Sequence, residues 1–139
     1  MHDSPLVTVI CSCYNHQQFV CESIQSVLNQ SYKNIQIIVI DDKSSDNSVA
    51  IIEHFIIIKP ELLFIINYTN LGLIRSVTNS LKFVKGDYFI DLAADDILLP
   101  NCIATQINTF QKSSFNKLAM VYGNAELILE SGEHSSYYF

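Results

Sequence analysis

Basic residues are scarce in this chain: Lys and Arg together number 8 among 139 residues, against 14 Asp and Glu, for a formal charge of −6. With no run of basic residues, the electrostatic footprint of a nucleic-acid-binding protein is missing, and nucleic acid is not an expected partner. Glycine is scarcer still. The four glycines form neither G-x-G-x-x-G nor G-x-x-x-x-G-K-S/T, which removes the warrant for a dinucleotide-binding or P-loop reading. The cysteines Cys11, Cys13, Cys21 and Cys102 have no zinc spacing; Cys11 and Cys13, two apart on an expected strand, read as small core residues. The histidines are scattered and point to no cluster. No apolar run approaches the roughly 18 residues of a membrane span. The opening Met1-His2-Asp3-Ser4-Pro5 lacks the basic and long apolar regions of a signal peptide, so a cytoplasmic address is expected, if need be at the inner face of a membrane.

What is present is a 49% hydrophobic chain, long enough for one domain with its own core. Residues 6–12, 35–40, 62–67 and 88–92 are short apolar runs bounded by turn residues, expected as buried parallel strands. Helical periodicity or helix punctuation marks 17–30, 47–58, 73–84 and 100–112. Ser44, Ser45 and Asp46 are candidate N-caps, and Lys85-Gly86 marks a helix end. A fifth strand is expected at 118–122 and a further one at 126–129, while 131–139 is polar, aromatic and aperiodic. Strands alternating with helices imply an α/β fold, a mostly parallel sheet with helices on both faces.

Two acidic pairs, Asp41-Asp42 and Asp95-Asp96, each follow one of these strands. In open α/β sheets ligands bind beyond the carboxyl ends of the strands, so both pairs are expected to face a crevice. Neighbouring carboxylates repel unless a cation or hydrogen-bond donors relieve them; a divalent metal and the N–H and O–H groups of a nucleotide are the natural ligands. Turn and cap roles are the ordinary alternative for Asp. Because the chain is acidic, an anionic diphosphate would need a bound cation or backbone N–H groups to be held.

The segments Val9-Ile10-Cys11-Ser12-Cys13-Tyr14-Asn15, Ser26-Val27-Leu28-Asn29-Gln30-Ser31-Tyr32 and Ile38-Val39-Ile40-Asp41-Asp42-Lys43-Ser44-Ser45-Asp46 resemble the opening of the family 2 glycosyltransferases of the GT-A fold. Asn70-Leu71-Gly72, Lys85-Gly86-Asp87-Tyr88 and Ala93-Ala94-Asp95-Asp96 with Pro100 continue the match in order. The resemblance implies a Rossmann-like GT-A fold and an inverting transfer from a nucleoside-diphosphate sugar, commonly a uridine one, to a saccharide or lipid-linked acceptor. It implies a divalent metal, Mn2+ or Mg2+. Carried over by position, Cys13, Tyr14 and Asn15 line the nucleotide sugar, Asp42 accepts from a base N–H, Asp95 faces the ribose or sugar, and Asp96, with Asp95, holds the metal.

The chain departs from the family pattern at Ser12-Cys13, where Pro-Thr is usual, and at Ala93, which replaces the first acid of D-A-D-D and implies a weaker metal site. Val77-Thr78 replace an Arg-Asn pair, leaving Arg75 on the same helix as the substitute cation. Residues 5–130 are then the donor half, and 131–139 a tail that stops before the acceptor half and its general base. Among the late acids Glu126, Glu130 and Glu133 none is marked as that base. Apolar surface left open near 118–129 would favour self-association. A nucleotide-binding module without catalysis is the competing class. A phosphoacceptor signalling domain would carry its acids after the first strand, and a nucleotidyltransferase needs a glycine-rich basic loop there; this chain has Cys13-Tyr14-Asn15.

Overall fold

A computed structural model of the chain describes residues 4–113 and 118–137. Four runs rich in β-branched residues form strands: β1 (Val7–Cys13), β2 (Ile35–Asp41), β3 (Leu63–Ile66) and β4 (Tyr88–Ala93). They pair in parallel in the order β3-β2-β1-β4, with Val7 opposite both Ile35 and Tyr88. The helices between them are α1 (Val20–Leu28), α2 (Ser48–Ile58) and α3 (Leu73–Ser80), the last continued by a 3-10 turn over Leu81–Phe83.

The two-residue period of the strands divides the core. Cys11, Cys13 and Val39 point to one face and pack with Val20 and Ile24 of α1 and Ile52 and Phe55 of α2. Ile10, Ile38 and Ile40 point to the other, where Val77 of α3 and Val84 cover them. Helices cover both faces of the central strands β1 and β2, whereas the outer strand β4, expected as a buried strand, leaves Phe89 and Asp91 exposed. All four cysteines are free, and burial pushes the Cys11 thiol up to about 12, which suits a packing role.

Helix ends differ from the sequence expectation for identifiable reasons. Residues 17–19 are not helical, because Gln17 donates its N–H to Asp46 (3.0 Å) and accepts from Asn47 N–H through its side chain (2.9 Å). Asn47 occupies the cap of α2, yet Asp46 accepts the Ser48 N–H at 2.9 Å from one position earlier. Gly86 is not a helix cap. A Cβ there would lie 2.6 Å from the Tyr88 carbonyl and 2.7 Å from Thr8, so only glycine lets the chain enter β4 this close to β1.

The chain divides into two units, Met1–Cys102 and Ile103–Phe139, and the sheet lies in the first. The second holds nearly all of α4 (Cys102–Lys112) and an antiparallel hairpin of β5 (Glu126–Ile128) and β6 (His134–Tyr137). Two expectations are corrected here. Residues 118–122 form no strand. The segment 134–137 is not a loose tail but pairs with β5, turned by Gly132 at φ +86 and joined by His134 to Glu126 at 3.7 Å.

Candidate functional site

The strand order reverses at β1: the chain moves outward through β2 and β3, then returns to the other side of β1 as β4. A crevice opens at such a reversal, beyond the carboxyl ends of the two strands that diverge. Residues 13–16 line it from β1 and residues 94–96 from β4. Across it His16 Nδ1 stands 3.7 Å from Asp95 Oδ1. That nitrogen is buried and has no hydrogen-bond partner. Tyr14 is 48% exposed, and Asp95 and Asp96 are both exposed.

The wall beside β1 is laced to the β2–α2 turn. Asn15, in the left-handed region at φ 57, donates its N–H to Ser44 Oγ at 2.9 Å and accepts from Ser45 N–H at 2.7 Å. His16 N–H donates to Ser48 Oγ at 3.1 Å. Cys13 is buried, and its carbonyl accepts the Asp42 N–H at 2.9 Å. Asn15 and Cys13 thus shape the wall through the contacts they make within the chain, and Tyr14 between them is about half exposed.

The first acidic pair does not face the crevice. Asp41 is fully buried at the last position of β2; its Oδ1 accepts Ser44 N–H at 2.8 Å, and its Oδ2 has no partner. Asp42, 6% exposed, accepts from Asn67 Nδ2 (2.8 Å), Leu71 N–H (2.9 Å) and Ser76 Oγ (2.8 Å) on one oxygen and Gly72 N–H (2.8 Å) on the other. Burial alone would raise its pKa, but these four donors hold the carboxyl below its ordinary value. These donors tie Asp42 to the loop before α3 and to Ser76 on α3 itself. Arg75, next to Ser76 on α3, is exposed.

The second pair is presented by a loop clamped onto α1. Ala94 N–H returns to Ser12 O (2.9 Å), Asp96 N–H to Ala93 O (3.0 Å), and Ser23 Oγ donates to Ala93 O (3.3 Å). Ser26 Oγ accepts Leu98 N–H at 3.1 Å, and the fully buried Gln30 donates to Leu99 O at 2.8 Å. Partial burial raises the Asp96 pKa first and the charge of Asp95 raises it further, against a lowering by His16. Two hard carboxylates that destabilise one another fit a divalent cation. Among the described residues no three Asp, Glu, His or Cys side chains converge on one point, so phosphate oxygens and water would complete such a shell.

His16 was not singled out by the sequence, although it directly follows Tyr14-Asn15 in the same turn; its position beyond a strand at the reversal was the available signal.

A sheet with this order, helices on both faces and an acidic loop at the reversal defines the Rossmann-like domain of GT-A glycosyltransferases. The model of glycosyl transferase family 2 matches residues 8–127, and the chain belongs to that family. An uncharacterized glycosyltransferase of Haemophilus influenzae is 38% identical over 113 residues, 81% of this chain and 35% of its own length. A mannosyltransferase from Pyrobaculum calidifontis, solved with GDP-Man and Mn2+, superposes with a TM-score of 0.72 at 18% identity, over 81% of this chain and 34% of the other. S. aureus TarS, solved with UDP, gives 0.69 at 18% identity, over 88% and 41%. The chain spans about a third of the first of these proteins and well under half of each.

Proposed function

We propose that this chain is the donor-binding half, residues 5–130, of an inverting hexosyltransferase that moves a sugar from a UDP-linked donor to a saccharide or lipid-linked hydroxyl, as in polysaccharide biosynthesis. The observation that carries this reading is the pairing, across one crevice, of the half-exposed Tyr14 ring with the exposed Asp95-Asp96 loop. Tyr14 stacks on the base. Cys13, Asn15 and Asp42 hold the wall in shape, and Arg75 is the one cation on α3 available to a phosphate. Asp95 accepts from the ribose or sugar, and Asp96 with Asp95 holds Mn2+ or Mg2+. When bound, that ion would neutralise the diphosphate as it leaves. Inversion needs a base on the face opposite the diphosphate. Glu126, Glu130 and Glu133 are exposed and none is assigned to that role, which falls to an acceptor-binding half of the protein. The work is done in the cytoplasm or at the inner face of a membrane.

A nucleotide-binding role without transfer is the second reading, favoured by Ala93, which leaves the loop one carboxylate short of the family pattern. Calorimetric titration with UDP, with Mn2+ and then with chelator, tests both on wild type and Asp96→Ala. Tighter binding with Mn2+ that disappears in Asp96→Ala supports the donor site, and unchanged metal dependence in the variant rejects it. Sugar transfer by the complete protein separates the first reading from the second.

A further inference from the structure

Three of the eight basic residues of this acidic chain, Lys33, Lys59 and Lys85, gather at the end of the sheet far from the crevice. A groove of about 350 Å3 opens there beside Ile35 and Gln36, the first residues of β2. The length of β2 puts it roughly 20 Å from the acidic loop. Lys33, Lys59 and Lys85 line it, with Glu61 the single acid among its lining residues. The groove thus carries a net +2 in a chain of −6, which leaves −8 for the remainder. None of the three lysines is in an ion pair with a described residue.

Large apolar side chains stand beside these charges. Ile57 and Ile58, immediately before Lys59, are 80% and 58% exposed. Phe83, 39% exposed, precedes Lys85 by two residues, and Lys82 Nζ lies 5.1 Å over its ring. Gln36 fixes that segment to β2 by donating to Phe83 O (3.0 Å) and accepting Lys85 N–H (2.9 Å). Phe83 is thereby held beside the groove, and Ile57 and Ile58 adjoin it in sequence through Lys59.

We infer that this end of the domain is a docking face for an anionic lipid bilayer, with Lys33, Lys59 and Lys85 on the headgroup phosphates and Ile57, Ile58 and Phe83 entering the interface. Lysine beside exposed aliphatic and aromatic side chains is the composition of interfacial anchors, whereas protein–protein interfaces are depleted of lysine. The charge division also sets the orientation: the acidic crevice is repelled by the surface that attracts the groove, so it faces away from the membrane. This gives the membrane setting of the proposed function a surface, and it does not depend on the donor chemistry.

The test is co-sedimentation of the protein with phosphatidylcholine vesicles with and without phosphatidylglycerol, alongside UDP titration of the same samples. Binding should require phosphatidylglycerol, fall about tenfold or more in Lys33→Glu/Lys59→Glu/Lys85→Glu, and fall several-fold in Ile57→Ser/Ile58→Ser, while the UDP titration is unchanged in both variants. Absence of binding, equal binding to neutral vesicles, or wild-type binding by the charge-reversed variant would overturn the inference. Binding to soluble polyglutamate with none to vesicles would also overturn it, in favour of an acidic protein partner.

Discussion

His16 and Asp95, carried by different loops on either side of the strand-order reversal, approach to 3.7 Å across the crevice, and the imidazole nitrogen that faces the carboxylate has no other partner. His16 lowers the Asp96 pKa while burial and Asp95 raise it, so the electrostatics of the acidic loop depend on a residue from the opposite wall. His16→Ala should therefore move the Asp96 pKa further upward. Carboxyl NMR titration of wild type and variant measures this, and a downward move would show that His16 does not act on the loop.

Asp42 accepts hydrogen bonds from four donors around the loop before α3, and Asp42→Asn should destabilise the fold by about 2–4 kcal/mol, because an amide nitrogen would confront N–H donors where an oxygen now accepts. Asp41→Asn should cost less, since Asp41 accepts one hydrogen bond, from Ser44 N–H, and its Oδ2 is buried with no donor to lose. Denaturant unfolding of the two variants decides it, and equal losses would contradict the assignment. The pH dependence follows from the depressed Asp42 pKa. Its folded value lies below the unfolded 3.8, so its contribution is present in full above 3.8 and is lost as the pH falls through the folded value. Asp42→Asn should flatten that part of the acid-unfolding curve.

Gly86→Ala should destabilise by about 2 kcal/mol, because the added methyl meets backbone atoms at 2.6 and 2.7 Å that belong to two paired strands and cannot move independently. A melting temperature within a degree of wild type would show that the β1–β4 approach relaxes.

The sheet and its helices were readable because local and long-range signals agree there: apolar runs of strand length alternate with periodic helices, and the central runs β1 and β2 are packed on both faces. The position of the Asp95-Asp96 loop was readable because an acidic pair directly follows a strand. The direction of Asp42 was not, because its four donors come from Asn67, Leu71, Gly72 and Ser76, which nothing in the local pattern places around it. His16 escaped because its significance lies in β4 being the neighbour of β1, a fact of topology.

Asp96 is expensive to keep in the ligand-free protein. Its raised pKa means that the folded state holds a proton more tightly than the unfolded chain, so its charged form disfavours folding once the pH rises above the unfolded 3.8, and increasingly so through the folded value. Asp96→Asn removes that repulsion with Asp95 and should stabilise the apo fold near pH 7. The gain should be no more than a few tenths of a kcal/mol, because the side chain is exposed and solvent screens it. The same substitution removes a hard oxygen ligand, so it should abolish any stabilisation that Mn2+ with UDP gives the wild type. Thermal unfolding of wild type and Asp96→Asn, with and without Mn2+ and UDP, reads both effects at once. A carboxylate kept for ligand binding predicts opposite signs in the two conditions, whereas a carboxylate kept for the fold predicts a loss in both.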